Sequence, residues 1–302
     1  KRENMSTSDF SKITVGVIGL GLMGGSFAKR FKEIGNRVIG INRTKSAEEE
    51  ALRMGIIDSA DPKDLKECRI VVFCTPEKAT KAFLEENLSL LARDAILTDI
   101  AGVKDGFADI AESLILPTQD FISGHPMCGR EGAGLSQASA DIFKGANYIV
   151  IPRKSNRKEN VALIEEMIRA LGCAHAPAVT AHEHDEIIAY TSYLPHAAAA
   201  ALMNSASYRK DTNRFTGGSF RDETRVADIN EELWTSLFLS NRENVLTEIE
   251  RFEAALETLR RAIEEKNEDS IRTFLSEAGR RRREWDSHGS SEYGSRERIV
   301  QD

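Results

Sequence analysis

The apolar run ITVGVIGL (13–20) ends inside the hexapeptide Gly19-Leu20-Gly21-Leu22-Met23-Gly24, and a helical pattern, GSFAKRFKEIG (25–35), opens directly behind it. Few short sequences restrict a fold as much. A strand that turns through three spaced glycines into a helix needs Gly19 for the tight turn. Gly21 lets the backbone approach a diphosphate, and Gly24 lets the helix lie against the strand. The N–H groups at the helix start then hold the diphosphate. Further apolar runs follow at RVIGIN (37–42), RIVVFCTP (69–76), AILTDI (95–100), DFISGHP (120–126) and NYIVIP (147–152). Strands that are apolar throughout and alternate with helices predict an α/β Rossmann domain with a parallel sheet covered on both faces, over residues 12–153.

Beyond Pro152 the pattern becomes almost wholly helical, with long apolar helices expected over 187–203 and 234–263. This predicts an all-α second domain over 154–285. The Ala-rich stretch 197–201 allows close helix contact, and a small helical domain of this kind finds its partner in a second copy of the chain. The Ser, Gly and charge-rich residues 286–302 read as a disordered tail, and the residues before about Lys12 as loose.

Composition removes several function classes. A net charge of −7 argues against a general nucleic-acid binder, and Arg280 to Arg283 read as a solvated helix end. No apolar run reaches the length of about 18 residues that a membrane helix needs. Cys68, Cys74, Cys128 and Cys173 have no metal or disulfide spacing. A reduced, cytoplasmic protein is expected. His182 and His184 lie two apart, which on a helix puts them on different faces, so no metal site is predicted there.

The second strand of a dinucleotide fold usually ends in an acid that binds the ribose 2′-hydroxyl. Here Asn42-Arg43-Thr44-Lys45 stands in that place. A missing carboxylate beside a guanidinium favours NADP, while NAD stays open because the Asn42 amide can accept from a hydroxyl. Thr75 and Pro76, ending another strand on the same edge, are expected on the nicotinamide side. His125 lies in a glycine-rich loop at a strand end, where ligands of such sheets collect. A neutral imidazole there can take the proton of a substrate hydroxyl as hydride leaves the same carbon.

Four segments, GLGLMGGS (19–26), GHPMCGREGAG (124–134), SYLPHAAAAAL (192–202) and GGSFRDETRVA (217–227), together resemble the prephenate dehydrogenase family, from about residue 13 to 265. The resemblance implies a Rossmann domain, a helical dimerisation domain, and oxidative decarboxylation of prephenate to 4-hydroxyphenylpyruvate in tyrosine biosynthesis. It assigns His125 as the catalytic histidine and Glu131 as a residue that keeps the site ordered. It implies His196 and Arg225 as binders of the substrate's carboxylates, Asp222 as the partner of Arg225, and Trp234 as a residue reaching the other subunit's site. Two departures stand out. Gly102 replaces a family serine whose hydroxyl bonds the histidine, and Tyr193 stands where a second histidine is common. Arogenate remains the alternative substrate. A 3-hydroxyacid dehydrogenase shares GLGLMG and the NRT stretch but needs a lysine within 180–203, where there is none. A catalytically silent NADP-sensing module would not need His125, His196 and Arg225 together.

Overall fold

The computed structural model describes residues 10–129 and 132–292. Five strands form a parallel sheet: β1 (Val15–Ile18), β2 (Val38–Ile41), β3 (Ile70–Phe73), β4 (Ile96–Asp99) and β5 (Asp120–Phe121). Their order is β2-β1-β3-β4-β5, with Val17 beside Gly40, Ile18 beside Phe73 and Phe73 beside Asp99. Every residue of β1 to β4 is buried, as expected for strands covered on both faces. The helices between them are α1 (Leu22–Ile34), α2 (Lys45–Arg53), α3 (Glu77–Asn87) and α4 (Phe107–Leu114). Helix α1 ends at Gly35, whose φ of 106° is the left-handed conformation that closes helices without a Cβ penalty. The chain goes from β1 to β2 on one side and returns to β3 on the other. That reversal opens a crevice at the carboxyl ends of β1 and β3.

Several expectations need correction. The run 120–126 is two strands, because the chain turns at Ile122. β6 (Ser123–Pro126) leaves the sheet and pairs antiparallel with β7 (Tyr148–Ile151), putting His125 beside Ile149. His125 therefore lies in a strand, not a loop. Among the described residues between β6 and β7 there are only short 3-10 turns and no helix long enough for a parallel crossover, so an antiparallel ribbon is the pairing open to them. Gly124 is needed in it, since a Cβ there would come within 2.5 Å of the Tyr148 ring. At the amino end, Phe10 is fully buried against Phe31, and the Asn36 side chain donates to its carbonyl oxygen at 2.7 Å. The ordered core thus begins before Lys12.

The first compact unit extends to Ile188, well past the expected boundary at 153. Helix α5 (Lys158–Leu171) packs on α1 through Ile164, Met167, Ile168 and Leu171, and bridges from His175 and Ala178 widen the β6–β7 ribbon. Helix α6 (Ala181–Ile188) closes this unit.

The second unit begins at Ala189 and, among the described residues, is built of helices joined by turns and loops, without a strand. A π turn (Ala189–Tyr193) leads into α7 (Leu194–Met203), followed by α8 (Gly218–Thr224), α9 (Glu231–Ser240), α10 (Arg242–Glu264) and α11 (Glu268–Glu292). The helix expected over 234–263 is two, broken at Asn241, and the one expected over 187–203 is interrupted by the π turn. Helix α11 passes Asp286, where a tail was expected, and residues 293–302 lie outside those described. Arg280 and Arg281 pair with Glu277 within it. Leu202, Leu233, Leu239, Leu246, Leu256 and Ile263 are exposed in this unit.

Candidate active site

The glycine turn is shaped for a diphosphate. Gly19 has φ of 94°, and a Cβ on Gly24 would lie 1.7 Å from the Gly19 carbonyl oxygen, so the helix and strand touch there as only glycine permits. Around Gly21 nothing lies within 4 Å of a would-be Cβ, which leaves open the approach that a ligand needs. Leu22 and Met23 follow as the first residues of α1. Thr75 packs its methyl group against Gly19 and shares a hydrogen bond with Thr80 at 2.9 Å, while Pro76 caps α3. A dinucleotide fits these residues.

At the end of β2 the structure redistributes the expected roles. The Asn42 side-chain oxygen accepts from Leu20 N at 2.9 Å, so this amide oxygen braces the glycine turn. Sequence reasoning missed Glu48, a buried carboxylate that accepts from Asn42 N at 2.9 Å and pairs with Lys45 at 2.8 Å. The Lys45 charge is thereby largely answered within the protein. Arg43 and Thr44 are exposed beside it.

His125 is held by residues that the sequence did not suggest together. Its Nδ1 lies 2.9 Å from His184 Nε2, and His184 Nδ1 lies 2.7 Å from Asp185 Oδ1. Asp185 also accepts from the backbone N–H groups of Lys104 at 2.9 Å and Asp105 at 2.8 Å. The Lys104 ammonium bonds Asp99 Oδ2 at 2.5 Å, and Ser123 donates to Asp99 Oδ1 at 2.6 Å, tying β6 to the end of β4. Sequence reasoning weighs His182 and His184 for a metal and misses the role of their neighbour Asp185. The signal was there, since a histidine followed by an acid is a pair able to orient another ring.

The electrostatics of this cluster favour a neutral His125. Burial first, then the Lys104 charge, hold its imidazole well below the ordinary value, and the residue is half-buried. Burial also draws the Lys104 ammonium below its usual range, against the opposing pull of Asp99. Glu77, the first residue of α3, is pushed up to about 7 by burial and then by the charge of Asp99, with Lys104 opposing. Glu131 lies outside the described residues.

In the second unit, Tyr193 is buried and edges Trp234 at 5.7 Å between ring centres. Trp234 stacks on His196 of the same chain, with ring centres 3.8 Å apart. His196 donates from Nδ1 to the Ser192 carbonyl at 2.8 Å. Burial and then the Arg225 charge lower its pKa, against the Ser192 bond. Arg225 opens a 3-10 turn (Arg225–Ala227) that packs on α7. It is exposed, as is Asp222 one turn earlier in α8.

Comparison with known proteins agrees with both halves. A sequence model described as "Prephenate dehydrogenase, nucleotide-binding domain" matches residues 27–176, and one described as "Prephenate dehydrogenase, dimerization domain" matches 180–277. The prephenate dehydrogenase of Lactococcus lactis subsp. cremoris is 30% identical over 284 residues, 90% of this chain and 77% of that protein. The A. aeolicus prephenate dehydrogenase, solved with hydroxyphenyl propionate and NAD+, superposes with a TM-score of 0.81 at 28% identity, covering 94% of this chain and 99% of the other. Synechocystis arogenate dehydrogenase gives a TM-score of 0.79 at 28% identity, covering 90% and 100%. The two domain models follow one another along the chain, the first over the glycine-turn unit and the second over the helical one, and the relatives match over most of its length: the chain is a dehydrogenase and belongs to the prephenate dehydrogenase family.

Proposed function

We propose that the chain oxidatively decarboxylates prephenate to 4-hydroxyphenylpyruvate with NADP. The observation that carries this reading is the half-buried His125, its Nδ1 2.9 Å from His184 Nε2 and its strand tied through Ser123 to Asp99 at the carboxyl end of β4. When bound, the nicotinamide supplies the acceptor for the hydride of the hydroxyl-bearing ring carbon. His125 takes the hydroxyl proton, and loss of carbon dioxide makes the ring aromatic. Arg225 binds a substrate carboxylate, with Asp222 as its orienting neighbour. Tyr193 and Trp234 hold His196 in place for the side chain. Glu131 is proposed to keep the site ordered. Gly19, Gly21, Leu22, Met23 and Gly24 cradle the diphosphate, and Thr75 and Pro76 lie on the nicotinamide side.

A second reading, arogenate, is favoured by one observation. His196 gives its Nδ1 proton to Ser192, so the neutral ring keeps a bare Nε2 that accepts from an ammonium but cannot donate to a carboxylate. Incubating the protein with prephenate or arogenate and either cofactor, and following the absorbance of reduced nicotinamide, tests both readings. A higher kcat/KM for arogenate replaces the first by the second, and no reduction with any pair rejects both.

NADP is proposed because Arg43 is the exposed guanidinium next to a strand end without a carboxylate directed at the ribose. Arg43→Ala is expected to lower kcat/KM for NADP by about tenfold or more, one charge-assisted bond being worth about 1.5–3 kcal/mol. Its kcat/KM for NAD should stay within about twofold. A wild-type preference for NAD, or equal losses with both cofactors, would contradict the assignment.

A further inference from the structure

We propose that His184 and Asp185 are positioning residues that fix the tautomer of His125, leaving Nε2 bare to receive the substrate's proton. The inference rests on the reading of His125 as the proton acceptor.

The assignment follows from donor and acceptor capacity along the chain of bonds. An ionised carboxylate only accepts. Asp185 is fixed as an acceptor by the Lys104 and Asp105 N–H groups, so the atom facing it, His184 Nδ1, carries a proton. A neutral imidazole has one N–H. His184 Nε2 is then a lone pair, and the His125 Nδ1 that faces it at 2.9 Å must donate. The His125 proton is used there, and its Nε2, across the ring, is unprotonated.

The reverse order would need protons on both nitrogens of His184, a ring with no exposed surface in a region that already holds the Lys104 ammonium. It would also put the His125 proton on Nε2, where the ring could donate to a substrate hydroxyl but not take its proton. As His125 becomes charged during the reaction, Asp185 answers that charge through His184. Gly102 brings no hydroxyl to this cluster, and His184 supplies the bond that steadies the ring.

The test pairs a spectroscopic readout with kinetics. Nitrogen-15 histidine spectra of the full chain at pH 8, assigned with His125→Asn, are expected to show a protonated Nδ1 and a bare Nε2 on His125. His184→Leu should lower kcat by about 10- to 100-fold, with KM for the substrate within about threefold, and give a mixture of His125 tautomers. His184→Gln can accept from His125 through Oε1 and donate to Asp185 through Nε2, so it should regain most of kcat and the single tautomer. Should His184→Leu fail to fold, the wild-type spectrum and His184→Gln still decide. A proton on Nε2 in the wild type, an unchanged kcat in His184→Leu, or a His184→Gln no better than it would overturn the proposal. Full turnover in His125→Asn would instead remove the proton-acceptor reading and leave the tautomer result standing.

Discussion

Replacing His125 with asparagine is expected to lower kcat by about 10²–10⁴ while KM changes by less than about twofold. Asparagine has a similar polar reach and can still bond the hydroxyl, so the ground state is little altered. Its amide cannot take a proton, so the loss falls on the transition state. The same residue sets the pH profile. With His125 as the proposed proton acceptor the neutral ring is the active form, and burial depresses its pKa, so the base form persists as pH falls through the free imidazole value of about 6.5. The kcat of the wild type should therefore stay level from pH 8 to 6.5 and fall only in more acid solution. A pH–rate profile whose acid limb lies at or above pH 6.5 would show that burial and Lys104 do not act on this ring as described.

Arg225→Gln should do the opposite, raising KM by about tenfold to a hundredfold with kcat nearly constant. This corresponds to losing a charge-assisted contact of about 1.5–3 kcal/mol that is made equally in ground and transition states. Because Arg225 is exposed, the melting temperature should hardly change. Losing the guanidinium also removes one cause of the lowered His196 pKa, so a titration shift of His196 toward ordinary values should accompany the weaker binding. An unchanged KM in steady-state assays would take Arg225 out of substrate recognition.

Local signals made the sheet legible. Strands β1 to β4 are short runs rich in Val and Ile, and each lies where its apolar run predicts. The glycine turn was equally plain, since each glycine answers a separate steric demand. What the sequence could not show is pairing between distant residues. Strands β6 and β7 look like any other buried strands, and only tertiary contact makes them a ribbon. The partner of His125 is 59 residues away, and no periodicity links the two. The bond from Leu20 N to Asn42 was hidden for the same reason: nothing in the sequence says which backbone group an amide oxygen will meet. Phe10 looked dispensable because the residues before it are polar, yet its ring completes the packing around Phe31.

The buried Lys104 ammonium separates two kinds of electrostatics within one protein. With no exposed surface, and with Asp99 against it, it lies where dissolved ions do not penetrate. Arg43 and Lys45 stand in water, and at physiological ionic strength charges beyond about 8 Å are largely screened from them. If Arg43 selects NADP as proposed, added salt should erode that selectivity at the adenosine end. The field that Lys104 exerts on His125 should persist, so the acid limb of the reaction should stay in place as selectivity fades.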